Sequence, residues 1–196
     1  MIATVVDDAF DSLLSLGPCP VIRSARLLLR PHKLSDADAI AASLSDFKVS
    51  RMLARVPQPY DRQDAIEWLM RQAAAPAADW NLAITCGDDL HIGAVGIEQQ
   101  SDGWHLGYWL NRAHWDHGYM SEAVRATLSA FFAALPEAII HSGAFADNLA
   151  SLNVQKKLGF RITGTDEIFC LARNRMVPQI VTTLDKDYFI LSGAGR

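Results

Sequence analysis

"YWLNRAHWDHGYMSEAV", from Tyr108 to Val124, is the stretch on which the fold turns. An alternating aromatic segment runs into Asn111. A polar turn follows, His114-Trp115-Asp116-His117-Gly118, and a strongly helical run leaves it. The first four N–H groups of a helix lack intrahelical partners, and the helix dipole places partial positive charge there. An anion satisfies both. Gly118 allows close approach and unusual dihedrals. The N–H groups from Tyr119 to Ser121 can then point at a phosphate, with the Ser121 hydroxyl adding a hydrogen bond. A tight strand-to-helix turn alone would also call for the glycine.

Upstream lie three apolar segments, "WNLAITC", "HIGAVGIEQQ" and "WHLGYWLN". Their links, "GDD" and "SDG", are short and turn-forming, which predicts an antiparallel meander. Downstream, Met120, Ala123, Val124, Thr127, Leu128, Phe131 and Phe132 recur at helical spacing until Pro136. "AIIHSGAFA" reads as a short strand. "DNLASLNVQKKLGF" reads as a helix capped by Asp147 or Asn148, with Lys156 and Lys157 in its last turn and Gly159 as its stop. "RITGTDEIFCLARNRMVPQIVTTL" reads as a closing hairpin.

Before the meander, Val5, Val6, Ala9, Phe10, Leu13 and Leu14 predict a helix over Thr4 to Leu16, stopped by Gly17 and Pro18. "VIRSARLLLRP" reads as one strand. Ser35 or Asp36 can cap a helix through "DADAIAASLSD", and Asp61 a second through "QDAIEWLMRQAAA". Between them lies a proline-rich loop. The order predicts one α/β (α+β) domain over residues 21–196, with residues 1–20 as a helical extension. Its core is a mixed, mostly antiparallel sheet of about seven strands flanked by helices.

The bulk numbers narrow the function. The chain has 196 residues, half of them hydrophobic, enough for one well-packed core. Net charge is −4 with scattered basic residues, so no nucleic-acid partner is expected. Cys19, Cys86 and Cys170 lie far apart, which fits a reducing cytoplasm. Neither a signal peptide nor a membrane span is read.

Together the meander, the Gly turn into a helix, the strand and "DNLASLNVQKKLGF" resemble the GNAT acetyltransferases, from about Val21 to the end. "ARLLLRP", "DADAIAASLSD", "YDRQDAIEWL" and "LGYWLNRAHWDHGYMSEAV" are similar to the ribosomal-protein N-terminal acetyltransferase group (RimJ/RimL-like). Each piece is weakly specific; their joint order and spacing are not. The resemblance implies the GNAT fold and a turn that binds the pyrophosphate of coenzyme A. The cofactor-binding residues it implies are Trp109, Leu110, Trp115, His117, Gly118, Tyr119, Met120, Ser121 and Asn148.

This turn departs from the family's Trp-Gly-x-Gly-Tyr-Ala run at two places, Asp116 for a glycine and Met120 for an alanine. A carboxylate ~6 Å from the phosphates would cost about 1–3 kcal/mol at an effective dielectric of ~20–80. Met120 is larger than alanine and can crowd the approach.

Acyl transfer to an amine needs a base, a donor for the oxyanion, and support for the departing thiolate. The resemblance implies a backbone N–H on Tyr108–Asn111 as the oxyanion and pantetheine partner, with Leu110 leading. Glu98 is the leading base: it shares a strand face with Gly96 and Ala94, whose small side chains leave room beside it. His105, on the neighbouring strand, is second. A solvated strand end competes with the first assignment and a plain surface histidine with the second. Asn148, Ser151 and Gln155 fall on one helix face. By resemblance Asn148 would meet the pantetheine arm and Ser151 would protonate the sulfur. Gln155 stands where many GNAT enzymes carry an acidic tyrosine. The histidines of "HWDH" lack a matching ligand cluster, so no metal is expected.

The expectation is an N-acetyltransferase that moves an acetyl group from acetyl-CoA to a primary amine, a protein N-terminus or a small molecule, by direct attack in a ternary complex. It would act as monomer or homodimer. The competing expectation is a non-catalytic GNAT-fold protein with an impaired turn.

Overall fold

The computed structural model describes residues 16–74 and 79–193. The expected N-terminal helix lies outside them, apart from Leu16. The expected first strand is two. Leu27 N donates to the Ser24 hydroxyl (3.2 Å) and Ser24 N to the Leu27 carbonyl (3.0 Å), folding the chain into β1 (Ile22–Arg23) and β2 (Leu27–Pro31). After a single 3-10 turn come α1 (Ala37–Leu44) and a short α2 (Phe47–Ser50), which the sequence reading did not separate. Helix α3 (Arg62–Ala74) starts where the Asp61 carboxylate accepts the N–H groups of Gln63 and Asp64 at 2.7 and 3.2 Å. Asp36 precedes α1 without capping it; its carboxylate is held by Arg30.

The meander forms as expected: β3 (Trp80–Cys86), β4 (Leu90–Gln100) and β5 (Gly103–Leu110), all antiparallel. Helix α4 (Tyr119–Ala134) crosses over to β6 (Ile140–Phe145), which runs parallel to β5. Then come α5 (Leu149–Lys157), β7 (Arg161–Cys170) and β8 (Arg175–Leu184). A last helix, α6 (Lys186–Gly193), was not anticipated. Asp185 marks its start by accepting the Tyr188 N–H at 3.0 Å. One sheet of eight strands results, one more than expected, in the order β1-β2-β3-β4-β5-β6-β8-β7.

Strand alternation sends side chains to two faces. One face carries Leu29, Ile84, Val95 and Leu106 against the buried side of α4, namely Ala123, Val124, Leu128 and Phe131. Burying each Leu, Val or Phe contributes about 1.5–3 kcal/mol. The other face is covered by α1 and α3 through Ile40, Leu44, Ala65 and Leu69, with Trp68 and Trp109 beside them.

Candidate active site

The site begins where two strands part. β5 and β6 pair only from Trp104–Ile140 to Leu106–Ser142, yet β5 continues to Leu110 and β6 to Phe145. A cavity of about 1110 Å³ opens there, lined by Gly107 to Leu110 on one side and Gly143 to Phe145 on the other. Asn111 N donates to Ile92 O on β4 at 2.7 Å. Successive N–H groups alternate in direction along a strand, so those of Leu110 and Tyr108 face the parting. The Leu110 carbonyl is taken by the Trp115 indole N–H at 2.8 Å.

At the mouth sits the turn. Asp116 and Gly118 both hold positive φ, 63° and 76°. Aspartate tolerates this left-handed region better than most residues, so the glycine-dependent path survives the substitution. Asp116 is exposed and lines the cavity. Gly118 is the N-cap of α4, whose first backbone bond is Glu122 N to Gly118 O at 3.1 Å. The N–H groups of Tyr119, Met120 and Ser121 precede that bond, and all three residues line the cavity. His117 lies outside the lining, its ring stacked on Tyr119.

Sequence reasoning missed what braces this turn. Arg26 donates Nε to Glu122 Oε2 at 2.7 Å and NH1 to the His117 carbonyl at 3.0 Å, and lies 4.5 Å from the Tyr119 ring centroid. Glu122 Oε1 accepts the Ser24 hydroxyl and the Arg26 N–H at 2.7 and 2.8 Å. Burial raises the Glu122 pKa, but the hydrogen bonds from Ser24 and Arg26 outweigh it and hold the carboxyl below its ordinary range. No local signal in "SARL" or "SEAV" announces it, since Ser24 and Glu122 are 98 residues apart.

Glu98 lines the cavity and lies directly across from His105 in the β4–β5 ladder. Arg55, from the proline-rich loop, donates to Glu98 at 3.0 Å. His105 is engaged by Asp102 at 2.8 Å and stacks on His141.

On α5 the polar stripe divides. Asn148 Oδ1 accepts the Ser151 N–H at 3.2 Å as the helix cap, and the residue lines the cavity. Gln155 is not ligand-facing: it is 1% exposed and bonds Ser142 and Thr182 at 3.1 and 2.9 Å, tying α5 to β6 and β8. Ser151 meets a residue that sequence reasoning did not single out. The Tyr108 hydroxyl lies 2.9 Å from Ser151 Oγ and 3.2 Å from the Ser151 carbonyl. Burial pushes the Tyr108 phenol up to about 12.

The far end of the cavity is roofed. Asp147 accepts from Arg173 at 2.8 and 3.0 Å and from Arg51 at 3.0 Å, and Leu171 N donates to Ala54 O at 3.0 Å. These bonds join the proline-rich loop to the β7–β8 turn.

The model of the GNAT acetyltransferase domain matches residues 26–161. The chain belongs to the GNAT acetyltransferase family. Among curated proteins, a "Probable N-acetyltransferase YjcK" of Bacillus subtilis is 37% identical over 155 residues, 74% of this chain and 85% of that one. An "Uncharacterized N-acetyltransferase p20" of Bacillus licheniformis is 27% identical over 166 residues, 82% and 93%. In fold, this GNAT protein is similar to an acetyltransferase from Bacillus anthracis (TM-score 0.74, 20% identity, 86% of this chain, 99% of that one). It is also similar to RimJ of Mycobacterium smegmatis, solved with CoA-disulfide (TM-score 0.72, 19%, 87% and 90%). The protein is accordingly an acyl-CoA N-acyltransferase. Among the described residues, no helix is long and apolar enough to cross a membrane.

Proposed function

We propose that this enzyme transfers an acetyl group from acetyl-CoA to a primary amine and works in the manner of the RimJ/RimL-like group. The observation that carries the reading is the parting of β5 from β6 next to the Gly118 turn. The N–H groups of Tyr119 to Ser121 suit a pyrophosphate, and the Leu110 N–H suits the thioester oxygen as it becomes an oxyanion. Trp109, Trp115, Met120 and Asn148 line the same cavity.

Glu98 takes the amine proton, directly or through water, once the acceptor displaces Arg55. The nitrogen attacks the carbonyl carbon, the tetrahedral intermediate collapses, and the C–S electron pair leaves on sulfur. Ser151 serves the departing thiolate, and proton counting assigns Tyr108 its part. The phenol has one proton and two acceptors within reach, the Ser151 carbonyl and Oγ. With that proton on the carbonyl, Ser151 must give its own to the phenol oxygen. With it on Oγ, the serine O–H is free to hydrogen-bond the sulfur, which leaves as the thiolate. Tyr108 does not give its proton away: moving it from a phenol at about 12 to a thiolate with pKa ~8.5 would cost roughly 4–5 kcal/mol. It orients and polarises Ser151.

The test is calorimetry with acetyl-CoA, followed by thiol release across a panel of peptides and small amines. Failure to bind at millimolar cofactor sinks the reading. Binding without thiol release from any amine leaves the non-catalytic alternative.

A further inference from the structure

Behind the cavity wall, on the sheet face covered by α1 and α3, two histidines are buried side by side, their ring centroids 5.6 Å apart. The His32 side chain is 4% exposed and His91 is 6% exposed. Among the described residues, none of their four ring nitrogens has a hydrogen-bond partner. Burial lowers the His32 pKa, and its polar neighbour Asn81 raises it by less; one N–H of the Asn81 amide goes to Gln72 at 2.9 Å. A buried polar group left unsatisfied costs about 1–3 kcal/mol, so this pair calls for a guest.

The fold brings the rings together through a local irregularity. The β3–β4 ladder slips by one residue: Ile84 faces Gly93, but Thr85 faces His91. Ile92 is the extra residue of a bulge. Because side chains alternate with period two, that one-residue slip turns His91 to the face that carries Arg30 and His32. Trp68 meets the His32 ring edge-on at 4.8 Å and Trp109 lies 5.7 Å from His91, which holds both rings between apolar walls. Asp36 completes the group. One ligand atom from each of the three residues lies within 4.8 Å of the others, and His32 Nδ1 is 3.9 Å from Asp36 Oδ2.

We propose that His32, His91 and Asp36 seat one late first-row transition ion of the Zn²⁺ or Co²⁺ kind. Two imidazoles with one carboxylate are a donor set that such ions prefer over Mg²⁺ or Ca²⁺. Burial lowers the pKa of both rings and so favours the neutral form that binds metal. Arg30 is the strongest opposing feature, since it holds Asp36 at 2.8 and 2.9 Å. Asp36 Oδ2 also accepts the Lys33 N–H, but Oδ1 takes only the Arg30 bond and keeps a lone pair. Arg30 then acts as the outer partner that orients a ligating carboxylate. Arg30 and Lys33 balance Asp36 and Asp89 in charge, so no surplus negative charge attracts the ion. Binding is correspondingly modest, and its role is structural: it joins the end of β2 to the start of β4 beside Trp109.

The experiment uses tag-free, chelator-stripped protein. Co²⁺ titration is read by visible absorption, and Zn²⁺ by calorimetry and by thermal melting. The expected result is one ion per chain, a ligand-field band, and a melting temperature raised by Zn²⁺. Binding weakens by more than about tenfold in His32→Phe and His91→Phe, and persists in His141→Ala, which breaks the half-buried His105–His141 pair. No band and no heat with the wild type overturns the proposal, as does loss of binding in His141→Ala with retention in His91→Phe. Should both core variants fail to fold, the wild-type cobalt band with His141→Ala as control decides. A water between the rings in a Zn²⁺-soaked crystal overturns it as well.

Discussion

The two ends of the cavity are built from different material. At the mouth, the groups offered to a ligand are backbone N–H groups of a helix start, with Arg26 and Glu122 bracing the turn from behind. At the far end they are side chains: Glu98 under Arg55, and a roof held by Asp147, Arg173 and Arg51. A backbone seat tolerates sequence change as long as the dihedrals survive, which is how Asp116 can stand in a glycine's conformation. A seat of charged side chains does not. Mutations should therefore separate into those that change cofactor affinity and those that change turnover or acceptor use.

The sharpest break of that contrast is at Glu98. Glu98→Gln keeps the size and removes the proposed base, so kcat should fall about 10²–10⁴-fold while acetyl-CoA affinity holds. Calorimetry beside steady-state rates checks both halves. An unchanged rate across pH removes Glu98 as the base and leaves His105 or a water chain.

Next in size is the brace. Glu122→Ala removes the acceptor of three hydrogen bonds, two of them from Arg26. Hydrogen bonds to a charged group contribute about 1.5–3 kcal/mol each when well made. Since Arg26 is about half exposed (48%), solvent discounts that figure here. Acetyl-CoA affinity should drop roughly tenfold, with kcat at saturation little changed. Equal loss of both would mean that the mouth does more than seat the cofactor.

Tyr108→Phe probes the junction between the two ends. Losing its donor should lower kcat about tenfold, with the acetyl-CoA Kd unchanged. Ser151→Ala should cost a similar amount. The double variant should be no worse than either single, because the two hydroxyls act as one unit. Additive losses would separate them.

Much of the fold is legible in the sequence. The meander, the turn, the crossover helix and the capped α5 follow from period, punctuation and caps, which are local signals. What escaped depends on distant pairing. Arg26 meets Glu122 across 96 residues, and Tyr108 meets Ser151 across 43. Gln155 looked ligand-facing because helix spacing gives a face but not what lies opposite; Ser142 and Thr182 do. His91 joins His32 only through a bulge that no alternation pattern announces.

Asp116→Gly tests the backbone argument in the opposite direction. It removes a carboxylate from the cavity wall and gives the φ of 63° to the residue that holds it most readily. Acetyl-CoA should bind several-fold more tightly, up to about a hundredfold if the carboxylate faces the phosphates. Unchanged affinity would mean that the side chain turns to solvent.

The smallest effect belongs to the roof. Hydrogen bonds from Arg173 first, against a lesser push from burial, hold the Asp147 carboxyl below its ordinary range. A depressed folded-state pKa means that the unfolded chain takes up the proton first as pH falls. The clamp's contribution is therefore complete above the unfolded value of ~3.9 and is lost as pH drops through the lower folded one. The carboxylate is 45% exposed, so the contribution is at most about 1 kcal/mol. Melting of wild type and Asp147→Asn should differ by a constant, small amount from pH 7 to about 4 and converge below it. At neutral pH the same variant should raise the acceptor KM and leave the acetyl-CoA Kd alone, because the roof spans the end of the cavity proposed for the acceptor. A change in cofactor affinity instead would show that the two ends are mechanically coupled through α5, whose cap residue Asn148 directly follows Asp147.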